Sequence, residues 1–254
     1  MRLALAFLSL PLFAQPPAGA PKPVRTGKAA APVDLTGYWV SPVMEDWRWR
    51  MVTPIKGDFA SVPVNADARR IGEAWDPAKD EASGNACKAY GAAALMRIPG
   101  RLHITWQDDN TLKIEADQGQ QTRLLIFNAK ALPALEPSLQ GFSEAHWELP
   151  PRGPGDPLNS FIFAQRVGTQ GRSLEVVTTK LKAGYLRRNG IPYSENTLLE
   201  EFFDYHKEPN GDEWFTVTTV VNDPVYLNVP FITSTDFKKQ PSATGFSPAP
   251  CSAR

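Results

Sequence analysis

Three features of the chain predict a mainly β fold, an antiparallel up-and-down barrel or sandwich of about nine strands with one principal helix and long loops. Short runs rich in Val, Ile, Thr, Phe, Tyr and Trp alternate with polar residues and are separated by turn residues. Pro, at 24, and Gly, at 18, are plentiful while long helical periodicities are scarce. The stretch 196–222 then supplies a hairpin: NTLLEEFFDYHKEPNGDEWFTVTTVVN is two β-favouring runs around Pro209-Asn210-Gly211-Asp212. Asn-Gly tolerates positive φ at both centres of a type I′ turn, whose twist matches the flanking strands. With Asn210 and Gly211 at the centre, His206 is expected opposite Phe215, Asp204 opposite Val217 and Phe202 opposite Thr219. Glu201, Phe203 and Tyr205 then share the other side with Val220, Thr218 and Thr216. Neither side is wholly apolar, as in a half-solvated sheet or a ligand-lined barrel interior. The absence of a βαβ rhythm excludes parallel α/β folds.

In chain order, residues 1–14 read as an export signal. Arg2 supplies the positive end, an apolar run extends to Phe13, and Leu12-Phe13-Ala14 precedes the cleavage point. The mature protein is expected in the periplasm or outside the cell. The apolar run is too short to span a bilayer, and no second stretch approaches the ~20 residues a membrane helix needs. Residues 15–33, rich in Pro and Ala, read as a disordered linker, and residues 34–254 as a single domain of adequate size for a real core.

Within that domain, residues 35–40 and 46–52 are expected strands. In the second, Trp47, Trp49 and Met51 point one way and Arg48 and Arg50 the other. A loop over 53–63 follows. Asn65 then N-caps a helix with Ala68, Ile71 and Trp75 at helical spacing, until Asp76-Pro77 interrupts it. Residues 84–91 return the chain to strands. Residues 101–127 form a three-strand meander in which Leu102, Ile104 and Trp106, then Leu112 and Ile114, alternate with polar residues. A strand at 141–148, a Pro-rich insertion at 150–157, strands at 160–166 and 174–181, a loop over 182–195, the hairpin, and a strand at 231–238 complete the chain.

The chain carries 27 basic and 27 acidic residues, a balance that argues against nucleic acid or an anionic membrane as the main partner. Its two cysteines, Cys87 and Cys251, are expected to pair with each other in an exported chain.

Gly37-Tyr38-Trp39 resembles the G-x-W signature of lipocalins and the wider calycin group, in which the Trp closes one end of an eight-stranded barrel. The meander and a mid-chain cysteine paired with one in the C-terminal tail agree with it. The resemblance implies that Trp39 is buried at a closed barrel end, against an Arg or aliphatic side chain. Greater length, with large insertions near 53–90 and 129–157, departs from that pattern and leaves the strand register open. The chain also resembles exported bacterial proteins of no assigned activity. They share the runs Asp46-Trp47-Arg48-Trp49-Arg50-Met51 and Gly184-Tyr185-Leu186-Arg187-Arg188-Asn189-Gly190-Ile191-Pro192-Tyr193-Ser194, and Asp223-Pro224 followed by Tyr226 and Pro230-Phe231. That likeness covers most of the mature chain and implies no activity.

Several residues could carry chemistry. His103, His146 and His206 all fall on expected strands, but none is closely spaced with another, so a metal site is not expected. Asp204 and His206, at i and i+2, share a strand face as an acid/base pair; Glu201 and Tyr205 do so on the other face. Neither pair has a Ser or Cys nucleophile in a recognisable motif. Trp47 and Trp49 read as core with the arginines solvated, or, with the strand inverted, Arg48 and Arg50 face inward against Glu201 or an anionic ligand. The loop over 182–195 is either a solvated hairpin or a barrel-mouth loop whose Tyr185, Arg187 and Tyr193 meet a carboxylate, sulfate or aromatic ligand. With no Gly-rich phosphate loop, H-E-x-x-H, G-x-S-x-G or nucleotide fingerprint, no cofactor is expected.

Two functions of different class follow, with a third beside them. The first is a lipocalin-like binding protein for a small hydrophobic or aromatic molecule. The second is a cofactor-independent isomerase, lyase or hydratase using an interior acid/base pair. The third is an envelope interaction module with a barrel filled by side chains.

Overall fold

The computed structural model describes residues 24–129, 136–148 and 173–253. The export signal, most of the linker, the insertion at 150–157 and the expected strand at 160–166 lie outside the described residues. Eleven strands are present among the described residues: β1 (Gly37–Val40), β2 (Arg101–Asp108), β3 (Thr111–Ala116), β4 (Gln121–Phe127), β5 (Phe142–Trp147), β6 (Ser173–Thr179), β7 (Gly184–Arg187), β8 (Ile191–Tyr193), β9 (Leu198–Lys207), β10 (Glu213–Asn222) and β11 (Phe231–Gln240). Nine of them close into a barrel in the order β1-β11-β10-β9-β6-β5-β4-β3-β2, and β7 pairs only with β8. Every neighbouring pair in the barrel is antiparallel except β4 with β5, which run parallel with Leu125 opposite Ser143. The connection between those two strands returns to the end where β4 began, and Gln140 there donates to the Gln121 side chain at 2.9 Å. This one crossover departs from a pure up-and-down order.

Strict alternation fills the barrel. Ile104, Ile114, Leu125, Leu174, Phe203 and Phe215 all point inward and are buried, each worth roughly 1.5–3 kcal/mol of apolar transfer. Trp39 is fully buried among them. Its indole N–H donates to the Leu35 carbonyl at 2.9 Å, its ring meets Phe215 edge-on, and Lys239 Nζ stands 5.4 Å from its centre. The cation beside this tryptophan is therefore a lysine. The end of the expected linker packs on the barrel here: a short helix, α1 (Gly27–Ala30), receives the Trp147 indole N–H on the Gly27 carbonyl.

The hairpin register differs from the expected one by a single residue. Lys207 pairs with Glu213, so five residues, 208–212, make the turn. Asn210 accepts the Asp212 N–H through its side chain, and only Gly211 adopts positive φ. The side-chain Asx turn lengthens the loop, and with a period of two each interior residue acquires a new partner. Glu201, Phe203 and Tyr205 stand opposite Thr219, Val217 and Phe215 on the inner face, while Asp204 and His206 face outward opposite Thr216 and Trp214.

A second apolar cluster covers the end of the barrel where β9 begins and β10 ends. Phe59, Val64, Leu186, Ile191 and Tyr193 pack there against Leu199, Val221 and Phe231. The expected helix contributes to this cap as α3 (Ala66–Ala74), with Asn65 accepting the Ala68 N–H at 3.0 Å. Three segments of the cap depart from expectation. Residues 46–52 form no strand: Asp46, at positive φ, opens a one-turn helix, α2 (Trp47–Arg50), because Arg50 turns inward onto buried polar partners. Residues 84–91 return as a 3-10 turn (Ala86–Tyr90), after a helix α4 (Pro77–Ala82) and before another, α5 (Ala92–Leu95). The loop over 182–195 holds the β7–β8 hairpin, whose Leu186, Ile191 and Tyr193 belong to the buried core. Asp223 locks that hairpin to β10, accepting from the Ser194 and Thr197 hydroxyls at 3.0 Å each. A disulfide joins Cys87 to Cys251 with Cα atoms 5.0 Å apart, strapping the C-terminal tail to the cap. No helix among the described residues is long and apolar enough to cross a membrane.

Candidate functional site

Four arginines converge where the cap meets the barrel. The α2 turn with residues 51–54, the chain from α5 into β2 (residues 94–99), and the end of β7 wall a half-open pocket of about 70 Å³ that Arg50, Arg97, Arg187, Arg188 and Trp49 line. Arg50 is held by Glu45, by the Ser41 hydroxyl at 2.6 Å and by the Arg97 carbonyl at 2.9 Å. Arg97 meets Asp46 at 2.9 Å through one terminal nitrogen. Arg187 donates to the Ala60 carbonyl at 2.7 Å and lies 5.2 Å over the Trp49 ring. Arg188 lies over Tyr90 at 5.9 Å.

The hydrogen bonds do not exhaust these donors. Arg97 Nη1, Arg187 Nε and Nη2, Arg188 Nε and Trp49 Nε1 are buried and have no acceptor among the described residues. Each such donor costs desolvation that no hydrogen bond among the described residues offsets. Glu45 and Asp46 make the direct ion pairs with these guanidinium groups, Asp58 and Asp236 act on Arg187 and Arg50 from farther off, and Glu45 Oε2 is itself buried without a donor among the described residues. Burial, reinforced by the neighbouring Arg97, pulls Arg187 down to about 10; burial also lowers Arg50. Chemically, planar guanidinium donors of low solvent exposure with an indole beside them are groups suited to meeting a planar or tetrahedral oxyanion.

Of the residues singled out in the sequence, Trp49, Arg50 and Arg187 meet in this pocket. Trp47 and Arg48 lie outside it, Trp47 in solvent and Arg48 3.6 Å from Asp58. Tyr185 donates its hydroxyl to Asp80 at 2.9 Å, beside the Trp75 indole N–H, also at 2.9 Å; burial and then Asp80 push its phenol up. Tyr193 is fully buried in the cap, and burial raises its phenol. Arg97 escaped the sequence reading, its only signal being a lone charge within the apolar run from Ala92 to Ile98.

The hairpin supplies a different polar centre. Glu201 is fully buried inside the barrel and pairs with Arg123 at 3.0 and 2.6 Å, with Ser143 and Thr178 hydroxyls at 3.4 and 3.3 Å from the same guanidinium. The arginine partnering Glu201 is thus Arg123, and neither Arg48, Arg50 nor Arg187. Its signal was legible in the alternation of β4, where Arg123 takes an inward position with Leu125 and Phe127. Asp204 bonds the Ser173 hydroxyl on the outer face, and His206 is 3.6 Å from Glu208. Asp204 and His206 are therefore separated by the sheet from Glu201 and the half-buried Tyr205. His103 and His146 face Glu115 at 3.2 Å and Glu175 at 2.8 Å. Among the described residues no group of three His, Cys, Asp or Glu side chains is placed to hold a metal ion. No protein-family model, curated protein or solved structure matches this chain.

Proposed function

We propose that the protein is an exported, lipocalin-like barrel protein that binds a small molecule through an anionic group, a carboxylate, sulfate or phosphate, in the arginine pocket. The observation that carries this reading is that five buried guanidinium and indole N–H groups without acceptors among the described residues, on Trp49, Arg97, Arg187 and Arg188, line one pocket. At the roughly 30 Å³ one water takes in the liquid, the pocket of about 70 Å³ accommodates about two waters, the size of one small oxyanion whose substituent projects through the open side. Trp49, Met51, Ile98 and Leu186 give that substituent an apolar or aromatic wall. The disulfide accords with export to an oxidising compartment. Binding is favoured over acid/base catalysis because Asp204 and His206 lie on the outer face of the barrel, away from the pocket.

Titration calorimetry with sulfate, phosphate and benzoate tests the reading. At least one of these anions binds the full chain, and Arg187→Met with Arg188→Met removes the binding. Because those substitutions delete buried guanidinium N–H groups without acceptors along with the Arg187 contact to the Ala60 carbonyl, the melting temperature of the free protein is expected to stay close to that of the parent. Flat titrations with all three anions would overturn the proposal.

A further inference from the structure

The segment that forms one wall of the arginine pocket also carries a concentration of exposed apolar surface. Met44, Trp47, Met51, Val52 and Ile55 keep between 61% and 79% of their surface in solvent. The other exposed side chains between them and just beyond are Arg48, Thr53 and Lys56. Both carboxylates of the same stretch turn back onto the pocket, Glu45 to Arg50 and Asp46 to Arg97. What faces outward is therefore mainly apolar and cationic, although Asp46 keeps 36% of its side chain in solvent and Asp58 stands 3.6 Å from Arg48. Scattered apolar residues on a surface need no explanation, but a cluster of this size in one short stretch marks a docking surface.

We infer that this segment docks the protein on an anionic phospholipid membrane. Trp47, Val52 and Ile55 enter the boundary between headgroups and acyl chains, Arg48 and Lys56 remain among the phosphates, and the arginine pocket takes one lipid phosphate. Tryptophan with aliphatic side chains and flanking cations is the composition suited to that boundary. A polypeptide docking by strand addition would need an open strand edge, whereas this segment is a single helical turn continued by loop. Zero net charge does not oppose the contact, because an anionic surface acts over roughly 10 Å and so senses the nearby cations. The phosphate part of the inference rests on the pocket being an anion site; the apolar part does not.

Flotation of the full chain with phosphatidylcholine vesicles, with and without phosphatidylglycerol, tests it beside a sulfate titration of the same protein. The protein is expected to float with vesicles containing phosphatidylglycerol and to remain behind with phosphatidylcholine alone. Trp47→Ser/Val52→Ser/Ile55→Ser abolishes flotation and leaves sulfate affinity intact. Arg48→Gln lowers partitioning about fivefold, the effect of one cation at such a surface. Sulfate binding without flotation overturns the membrane inference and leaves the anion pocket standing. Flotation without sulfate binding supports docking by the exposed segment and overturns the phosphate contact. Equal flotation with both vesicle types overturns the preference for anionic lipid, and a dimer that the triple substitution dissolves, without flotation, assigns the surface to a second copy of the chain.

Discussion

Arg123 and Glu201 form a closed pair inside the barrel, and the four pocket arginines form an open cluster at its end. The difference lies in what faces each charge. Arg123 has a bidentate carboxylate and two hydroxyls, all buried with it, and leaves its Nε alone without an acceptor among the described residues, so the pair reads as structural. Glu201→Gln or Arg123→Met alone is expected to lower stability by about 3–5 kcal/mol, whereas Arg123→Met with Glu201→Leu together recovers most of the loss. Denaturant unfolding of the three variants checks this, and additive losses would count against the pairing. Arg187, by contrast, is held near 10 by burial and Arg97. A bound anion favours its charged form, so anion affinity is expected to stay level through neutral pH and to fall as pH rises through about 10. Sulfate titrations across that interval measure it. Affinity that stays level to well above pH 10 would show that no deprotonation of Arg187 is coupled to anion binding in that interval.

Among the elements, the β7–β8 hairpin matters most for the pocket, because its end carries Arg187 and its turn carries Arg188. Gly190 in that turn has φ +81° and lies directly against Trp75 of the cap. A side chain there meets both an unfavourable backbone region and the indole. Gly190→Ala is expected to destabilise by at least the 1–2 kcal/mol of a left-handed residue and to weaken anion binding by shifting both arginines. A thermal midpoint and sulfate affinity equal to those of the parent would show that the turn does not set the pocket. The opening hairpin makes the complementary point. Its Asn-Gly signal located the turn correctly, yet Asn210 used its side chain to cap a longer loop, and a one-residue change in register re-paired every interior position. Arg48-Trp49-Arg50 shows the same limit, since two-residue alternation in the sequence folded as a helical turn once Arg50 found buried partners.

At the scale of the molecule, buried apolar side chains line the barrel interior and the arginine pocket lies where the cap meets the barrel. The disulfide fastens that cap, closing a loop of 164 residues between Cys87 and Cys251. Chain entropy assigns such a bridge up to about 5 kcal/mol. Cys87→Ser with Cys251→Ser is expected to lower the unfolding free energy toward that limit while retaining the β content, as read by denaturant titration and circular dichroism. An unchanged midpoint would mean that the tail needs no strap. Charge balance also has a different meaning at this scale: 27 basic and 27 acidic residues sum to zero, yet four guanidinium groups gather at one pocket.

While the burial of Trp39 was implied only by the G-x-W resemblance, the sequence by itself determined the mainly β architecture, the meander, the helix capped by Asn65 and the cysteine pairing. These depend on periodicity, caps and composition, which act over a few residues or on the whole chain at once. It also marked Trp49, Arg50 and Arg187 as residues able to meet a ligand, without showing that they meet each other. Only the tertiary structure brought Arg97 to them, chose Arg123 as the partner of Glu201, and turned Asp204 and His206 outward. Such pairings join residues far apart in the chain, and they follow from strand register and from where each buried charge finds an acceptor, neither of which local spacing encodes.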